Sequence, residues 1–392
     1  MQLDRRRRKT LEGSARTEHL SDREWMQQGV QTPGGSAGCY DDFMTDGNKT
    51  LEPVRWGVLG ASHFALSATL PAMQKAPLVK LCALASRSLS KAQQAASSMG
   101  VARAYGSYEE LIADPEVEAI YNPLPNHLHV PWSINAAQAG KHVLCEKPIA
   151  MNAAEAQELL KVQEQTGVWI AEAFMVRHHP QWDKVVELIE SGRIGQVRAV
   201  QTAFSYSNSD HDNIRNQKAF GGGALYDVGC YAINTARLAF SAEPQRVAAV
   251  CDRDPETGCD RLTSAILDFG VGQATFVVGT QHVPYQRVHV FGTRGHIEVE
   301  IPFNAPNDRP CKVFVDDGSV GAPDFTVQET SDDRAETVAL PIANHYTLQA
   351  QAFSEAIRTS RPPRNDLRGA VANMRVIDAI FRATESQRWE TV

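Results

Sequence analysis

Hydrophobic and polar positions follow two different rhythms along this chain, and the change falls near residue 174. Upstream, short apolar runs alternate with helical patterns. Residues 54–59 form an apolar run, closed by Gly60, that reads as a buried strand. Leu66, Leu70 and Met73 then fall on one side of a helix predicted over 61–75. A second apolar run covers 79–85, and Ser90 opens a helix rich in alanine and glutamine over 91–99. A short helix over 108–113 stops at Pro115, and a brief strand over 119–121 precedes Pro123 and Pro125. The pattern continues with a helix over 129–139, a strand over 143–145, a helix over 153–165 and a strand over 168–171. Asn152 suits the N-cap of the helix over 153–165, and Gly167 suits its end. Strands alternating with helices predict a doubly wound parallel sheet.

Downstream, one helix over 180–192 is followed by β-like runs at 197–206, 247–251, 262–269, 273–281, 287–293, 295–301 and 312–315. Thr263, Ala265, Leu267 and Phe269 occupy alternate positions, as in an antiparallel strand with one covered face. Helices over 346–359 and 367–385 close the chain. The expected fold class is therefore α/β: an N-terminal Rossmann-type sheet plus a C-terminal α+β domain with a large open, mainly antiparallel sheet. The expected boundaries are an extension over 1–52, a dinucleotide-binding domain over 53–174 and a second domain over 175–392.

Composition narrows the picture. The 392 residues are 43% hydrophobic and 22% charged, enough for a large core in two domains. A net charge of -7 argues against a nucleic-acid surface. No apolar run reaches the length of a membrane span. The seven cysteines form no Cys-x-x-Cys pair and are odd in number, which fits reduced thiols in a cytoplasmic protein. Twelve histidines without paired ligand spacing predict no metal site. Arg5, Arg6, Arg7, Arg8 and Lys9 resemble the head of an export signal, but 10–28 is polar where an apolar segment must follow. The first residues therefore read as a charged tail or an arm, with a linker over 34–48.

Candidate chemistry clusters where the predicted strands end. A dinucleotide fingerprint would need glycines at 60, 62 and 65; the chain has Gly60, Ser62 and Ala65. A small residue suffices at the third place, and Ser62 still lets a pyrophosphate approach the backbone at a helix N-terminus. The motif alone fits a glycine-tight strand–helix turn equally well. Beyond the second strand, Ala85-Ser86-Arg87-Ser88 carries no carboxylate for a ribose 2′-hydroxyl. Arg87 with a serine hydroxyl suits a 2′-phosphate, favouring NADP over NAD; an exposed arginine opening a helix is the plainer alternative. Lys147 follows the strand over 143–145, at the strand end where open α/β sheets bind ligands. Asn126 and His129 follow an earlier strand, though His129 equally suits a helix cap. Arg177 and His179 follow the last strand and either line the cleft or serve as linker.

Five segments carry a resemblance: Trp56-Gly57-Val58-Leu59-Gly60, Pro125-Asn126-His127-Leu128-His129, the stretch from Gly140 through Cys145-Glu146-Lys147-Pro148, Glu172-Ala173-Phe174-Met175-Val176-Arg177, and the stretch from Gly221 through Asp227 to Tyr231. In this order and at these distances the chain resembles the Gfo/Idh/MocA oxidoreductase family, over nearly everything from residue 54 onward. The resemblance implies that Lys147, Asp227 and Tyr231 are catalytic. Asp227 and Tyr231 are four apart, so on a helix both project from one face. The Lys147 ammonium would lower the pKa of Tyr231, which would then exchange a proton with a sugar hydroxyl. Asp227 would hold a second hydroxyl, and Lys147 would touch both substrate oxygen and cofactor ribose.

The implied cofactor residues are Gly60, Ser62, Phe64, Ala65, Ser86, Arg87, Pro125, Asn126, His129, Glu146, Lys147 and Arg177. The implied substrate residues are Lys147, Arg177, His179, Asp227 and Tyr231, with no metal. The implied activity is NADP-dependent oxidation of an aldose, glucose or xylose in type, at C1 to the lactone. A tightly held NADP passing its hydride to a second sugar is part of that expectation. Reduction of a ketosugar, oxidation of a trans-dihydrodiol, and a non-catalytic dinucleotide-binding sensor are the alternatives. The implied partners are a small sugar and further copies of the chain, as a homodimer or homotetramer through the C-terminal sheet. Tyrosine at 231, rather than the histidine of some members, argues against polyol and inositol substrates.

Overall fold

Buried on both faces, a parallel strand must be apolar nearly throughout, and this explains the short runs at the start of the chain. In the computed structural model, which describes residues 45–46, 49–318 and 335–392, six of them form one sheet. The strands are β1 (Val54–Leu59), β2 (Val79–Ala85), β3 (Arg103–Tyr105), β4 (Ala119–Asn122), β5 (His142–Glu146) and β6 (Ile170–Ala173). They lie in the order β3-β2-β1-β4-β5-β6 and every pair is parallel. The order reverses between β1 and β4, which opens a crevice at the carboxyl ends of the strands. The expected α/β class and the doubly wound sheet are as observed. Strand β3 was not expected: its three residues are only half-buried and form no apolar run. Apart from a short ladder pairing Thr45–Asp46 with Lys49–Thr50, the tail and linker expected at the N-terminus lie outside the described residues.

A second sheet of nine strands follows the first. It comprises β7 (Val197–Ser207), β8 (Arg246–Arg253), β9 (Asp260–Asp268), β10 (Gln273–Gly279), β11 (Gln281–Gly292), β12 (His296–Val299), β13 (Cys311–Asp316), β14 (Glu336–Leu340) and β15 (Glu390–Thr391). Their order is β14-β13-β12-β11-β7-β10-β9-β8-β15. Of its eight neighbouring pairs seven are antiparallel, and β7 with β10 makes the single parallel one. The edge strands β14 and β15 are short and were not expected.

The alternation in β9 is the predicted one. Thr263, Ala265 and Leu267 are buried, as is Phe269 just past its end, while Ile266 is exposed. Inward positions on β7 are Val200, Thr202 and Phe204. The covered face packs against α7 (Cys230–Phe240) and α9 (Leu367–Ser386). Helix α8 (His345–Thr359) folds back onto the first sheet: Trp56 packs on Phe353 at 5.7 Å between ring centres, and its Nε1 donates to Ser354 Oγ at 3.2 Å. No helix among the described residues is long and apolar enough to cross a membrane.

Candidate active site

The crevice begins where β1 ends. Gly60 adopts φ +91, a backbone conformation that costs a side chain, and a Cβ there would sit 3.0 Å from Leu124. Ser62 Oγ accepts from Ala65 N at 3.2 Å, which starts the following helix through buried Ala65. Phe64 is exposed, its ring edge against Tyr346 at 5.9 Å. Past β2, Ser86 N donates to Tyr105 O at 3.2 Å, and Ser88 caps the helix Leu89–Met99. Arg87 is exposed and makes no hydrogen bond or ion pair among the described residues. A close-approach glycine beside a helix N-terminus fits a dinucleotide.

At the end of β5 the chemistry is denser. Lys147 Nζ donates to Asp227 O at 2.8 Å and to Asp227 Oδ1 at 2.9 Å. It also lies 5.0 Å from the centre of the Tyr231 ring. The side chains of Lys147 and Asp227 are 14% and 16% exposed. Burial opposes the charge on Lys147, but Asp227 outweighs it and holds its pKa above the ordinary lysine value. Burial likewise opposes the charge on Asp227; Lys147, Arg215 and Tyr206 outweigh it and hold the carboxyl well below its ordinary range.

Asp227 sits in a π-helical turn, Leu225–Gly229, that runs directly into α7, where Tyr231 stands. Gly223 precedes that turn at φ +126, where any Cβ would collide with the Asp260 carboxylate that accepts from Leu225 N.

Tyr231 corrects one expectation. It is 5% exposed, enclosed by Phe174, Phe204 and Phe303 at 4.8, 5.5 and 5.3 Å between ring centres. Its hydroxyl donates to Met175 Sδ at 3.4 Å. Lys147 reaches the face of the ring rather than its oxygen, so burial dominates and the pKa of Tyr231 is raised, not lowered. The phenol is held protonated.

Neighbouring residues hold this centre in place. Glu146 Oε1 accepts from Tyr121 Oη at 2.7 Å, and burial raises the Glu146 pKa. Glu172 Oε1 accepts from Ile149 N at 2.9 Å, and burial pushes its pKa up to about 7. Pro125 leads into a single 3-10 turn, Asn126–Leu128. Asn126 Nδ2 donates to Gly221 O at 2.8 Å, so the amide joins this turn to the loop ahead of Asp227.

Three sequence-predicted residues are placed otherwise than expected. His129 has Nδ1 2.7 Å from Pro148 O and Nε2 2.6 Å from Leu124 O. Burial holds its pKa down to about 4 against the pull of both carbonyls. Neither nitrogen is left for a cofactor, and the ring instead braces the segment behind Lys147. His179 has no exposed surface, and its Nδ1 accepts from Gln181 N to cap the helix Pro180–Glu190. That ring caps the helix from a buried position. Arg177 sits among Arg364, Arg237, Asp183 and Asp366, and burial lowers its pKa to about 10. Its Nε is buried without a partner, and no described contact brings it to Lys147, Asp227 or Tyr231.

Two residues at the centre were missed. Tyr206 Oη donates to Asp227 Oδ2 at 2.5 Å, and Arg215 Nε lies 3.3 Å from the same oxygen. Tyr206 continues the inward series Val200, Thr202, Phe204 on β7, which is the signal that points to it. Arg215 falls in a loop with no periodicity, so nothing in the sequence singles it out.

Comparison with known proteins agrees with this geometry. Residues 54–174 match a model described as oxidoreductase family, NAD-binding Rossmann fold, and residues 182–298 match the GFO/IDH/MocA C-terminal domain. An uncharacterized oxidoreductase of Rhizobium meliloti is 46% identical over 343 residues, covering 87% of this chain and 100% of the relative. D-xylose 1-dehydrogenase (NADP(+)) 2 of Haloferax volcanii is 36% identical over 336 residues, covering 84% of this chain and 97% of the relative. A 3-ketoreductase from Actinomadura kijaniata, solved with NADP and TDP-benzene, superposes with a TM-score of 0.77 at 29% identity, covering 85% of this chain and 98% of that one.

Proposed function

We infer the reaction from one premise: this chain belongs to the Gfo/Idh/MocA oxidoreductase family. Its reading here is an NADP-dependent oxidoreductase that acts on a CH–OH group of a sugar, oxidising an aldose at C1. The observation that carries it is Lys147 Nζ held against Asp227 beside the Tyr231 ring, at the carboxyl end of β5.

Gly60, Ser62 and the helix N-terminus behind them would hold the pyrophosphate, and Ser86 with Arg87 the 2′-phosphate of NADP. Phe64, Ala65, Pro125, Asn126 and Glu146 border the same crevice. NADP, when bound, accepts a hydride from the carbinol carbon or returns one. Lys147 orients the substrate oxygen through the N–H that Asp227 leaves free. In the oxidative direction Tyr231 must first release its phenolic proton to water, and it then takes the C1 hydroxyl proton as the hydride leaves; in the reverse direction it gives that proton to the carbonyl oxygen. Lys147 and Tyr231 stand as far apart in sequence as the lysine and the tyrosine replaced in two solved variants of the Actinomadura ketoreductase.

One observation favours a second reading, reduction of a ketosugar. A tyrosine held protonated by burial is already poised to give its proton to a carbonyl oxygen. The dTDP-sugar 3-reductase of Streptomyces violaceoruber, 34% identical over 313 residues, is named for such a reaction.

The chain also pairs with copies of itself, in this reading, through the outer face of the second sheet. Val250, Ile266, Val277 and Tyr285 are exposed there together.

The test is nicotinamide absorbance when an aldose is added to purified protein. A rise that stops near one equivalent without added cofactor would mean NADP retained on the protein. Continuous reduction only with added NADP would mean an ordinary aldose dehydrogenase. Silence with aldoses but NADPH consumption with a ketosugar would overturn the first reading in favour of the second.

A further inference from the structure

Lys147 carries its charge on a flexible four-carbon stem, so something else must fix where its ammonium points. Asp227 does so directly, but a carboxylate gripped at one oxygen is still free to turn. Here it is gripped at both. Oδ1 accepts from Lys147 Nζ at 2.9 Å, while Oδ2 accepts from Tyr206 Oη at 2.5 Å and faces Arg215 Nε at 3.3 Å. The three donors come from three separate elements: the end of β5, the end of β7 and the loop over 208–222.

That loop is itself tied down. Asn126 Nδ2 donates to Gly221 O at 2.8 Å, His127 stacks on Phe220 at 4.9 Å, and Gly223 N donates to Arg215 O at 2.9 Å. The Arg215 side chain is 40% exposed, and Tyr206 is half-buried with its ring packed against the core. What both share is one carboxylate oxygen.

We propose that Tyr206 and Arg215 are positioning residues for Lys147: by occupying Oδ2 of Asp227 they keep Oδ1 turned onto the ammonium. The inference rests on Lys147 being the catalytic lysine of the reading above. The loop over 208–222 thereby contributes to the placement of Lys147, because releasing Arg215 loosens the carboxylate.

The charged and titratable groups around Asp227 are Lys147 just past β5, Tyr206 from β7, Arg215 from the loop, and Tyr231 and Cys230 from α7, the Cys230 Sγ lying 3.7 Å from Asp227 O; Glu146 faces Lys147 and Arg215. Of these, Lys147, Arg215 and Tyr206 all favour the ionised carboxylate. Removing Arg215 or the Tyr206 hydroxyl therefore raises the Asp227 pKa and moves the acid limb of activity to higher pH.

The test uses the full chain with Arg215→Met, Arg215→Lys and Tyr206→Phe. Its first readout needs no substrate: the rate at which the Lys147 amine is reductively methylated, followed by peptide mass spectrometry against the other lysines. Arg215→Met and Tyr206→Phe should each be labelled several-fold faster at Lys147, and Arg215→Lys should return toward wild type. The second readout is turnover. The same two variants should lose about 10- to 100-fold in kcat, a scale typical of a displaced catalytic group. NADP affinity should stay within about twofold, because the cofactor-binding residues are untouched, and the acid limb should shift upward. Labelling of Lys147 at the wild-type rate in both variants would overturn the proposal, as would a kcat loss equal at every pH. If no sugar is turned over but labelling rises as expected, the positioning role stands and the sugar reading fails.

Discussion

At the β1–β2 end of the crevice, the candidate groups keep donors to spare: Arg87 is exposed with no hydrogen bond or ion pair among the described residues, and the Ser62 hydroxyl, which accepts from Ala65 N, keeps its hydrogen to donate. At the β5 end, Lys147, Asp227, Tyr206 and Arg215 are partly buried and each is held by another. In the proposed reading the first end receives the cofactor, and its binding energy would come from contacts formed only with that ligand. The second is preorganised, with its electrostatic work completed on folding. Changes at the two ends should therefore break different things: affinity at one, turnover and stability at the other.

The largest effect should come from Lys147→Met. It removes the ammonium that, in the proposed reading, would orient the substrate oxygen, and leaves Asp227 with Tyr206 and Arg215 alone. Steady-state kinetics should show kcat falling by about 10²- to 10⁴-fold, the range for losing a positioned proton-handling group. NADP binding measured by fluorescence titration should survive. A variant that loses NADP binding and turnover together would erase the contrast between the two ends.

Asp227→Asn should act through stability and pH. Removing one member of a buried pair costs about 3–5 kcal/mol, because the other charge is left uncompensated. The Asp227 pKa is depressed in the folded chain. Its stabilisation is thus complete above its unfolded value of about 4 and is lost as pH falls toward the depressed value. Thermal melts of the variant should accordingly be flatter below about pH 4 than those of the wild type. Lys147, deprived of its counter-charge, should lose its proton at lower pH, so the alkaline limb of activity should move down. Parallel acid arms in the two proteins would show that Asp227 is not the depressed group.

Arg87→Ala should have the smallest effect and sharpen the comparison from the other side. Losing a charge-assisted contact is worth about 1.5–3 kcal/mol, or roughly 10- to 150-fold in NADP affinity. NAD affinity and kcat at saturating NADP should hardly change. Equal weakening of NAD and NADP in calorimetric titrations would remove Arg87 from the 2′-phosphate.

The same contrast governs how much was legible in the sequence. Gly60, Ser62, Ala65 and Arg87 are adjacent to strands whose apolar runs declare themselves, so their place at the sheet end follows from local pattern. The alternation Thr263, Ala265, Leu267, Phe269 likewise declares a face. The order of Lys147, Asp227 and Tyr231 carried the family resemblance, but not their electrostatics. Phe174, Phe204 and Phe303 close around Tyr231 from three distant segments, and only that cage turns an expected low pKa into a high one. His129 and His179 looked available because motif position says nothing about burial. Arg215 is unreadable for the same kind of reason: its partner is chosen by how a loop over 208–222 folds back, not by spacing. The parallel pairing of β7 with β10 and the three-residue strand β3 were also beyond reach, since neither leaves a periodic trace.

In the proposed reaction Tyr231 must handle the substrate proton beside a fixed Lys147. The measurement that tests it most directly is single-turnover reduction of NADP on mixing with D-xylose, comparing wild type with Tyr231→Phe at matched NADP occupancy. Wild type should show one rapid absorbance rise, and Tyr231→Phe should slow it by at least about 10²-fold with NADP still bound. A rise of equal rate in the two proteins would contradict the account.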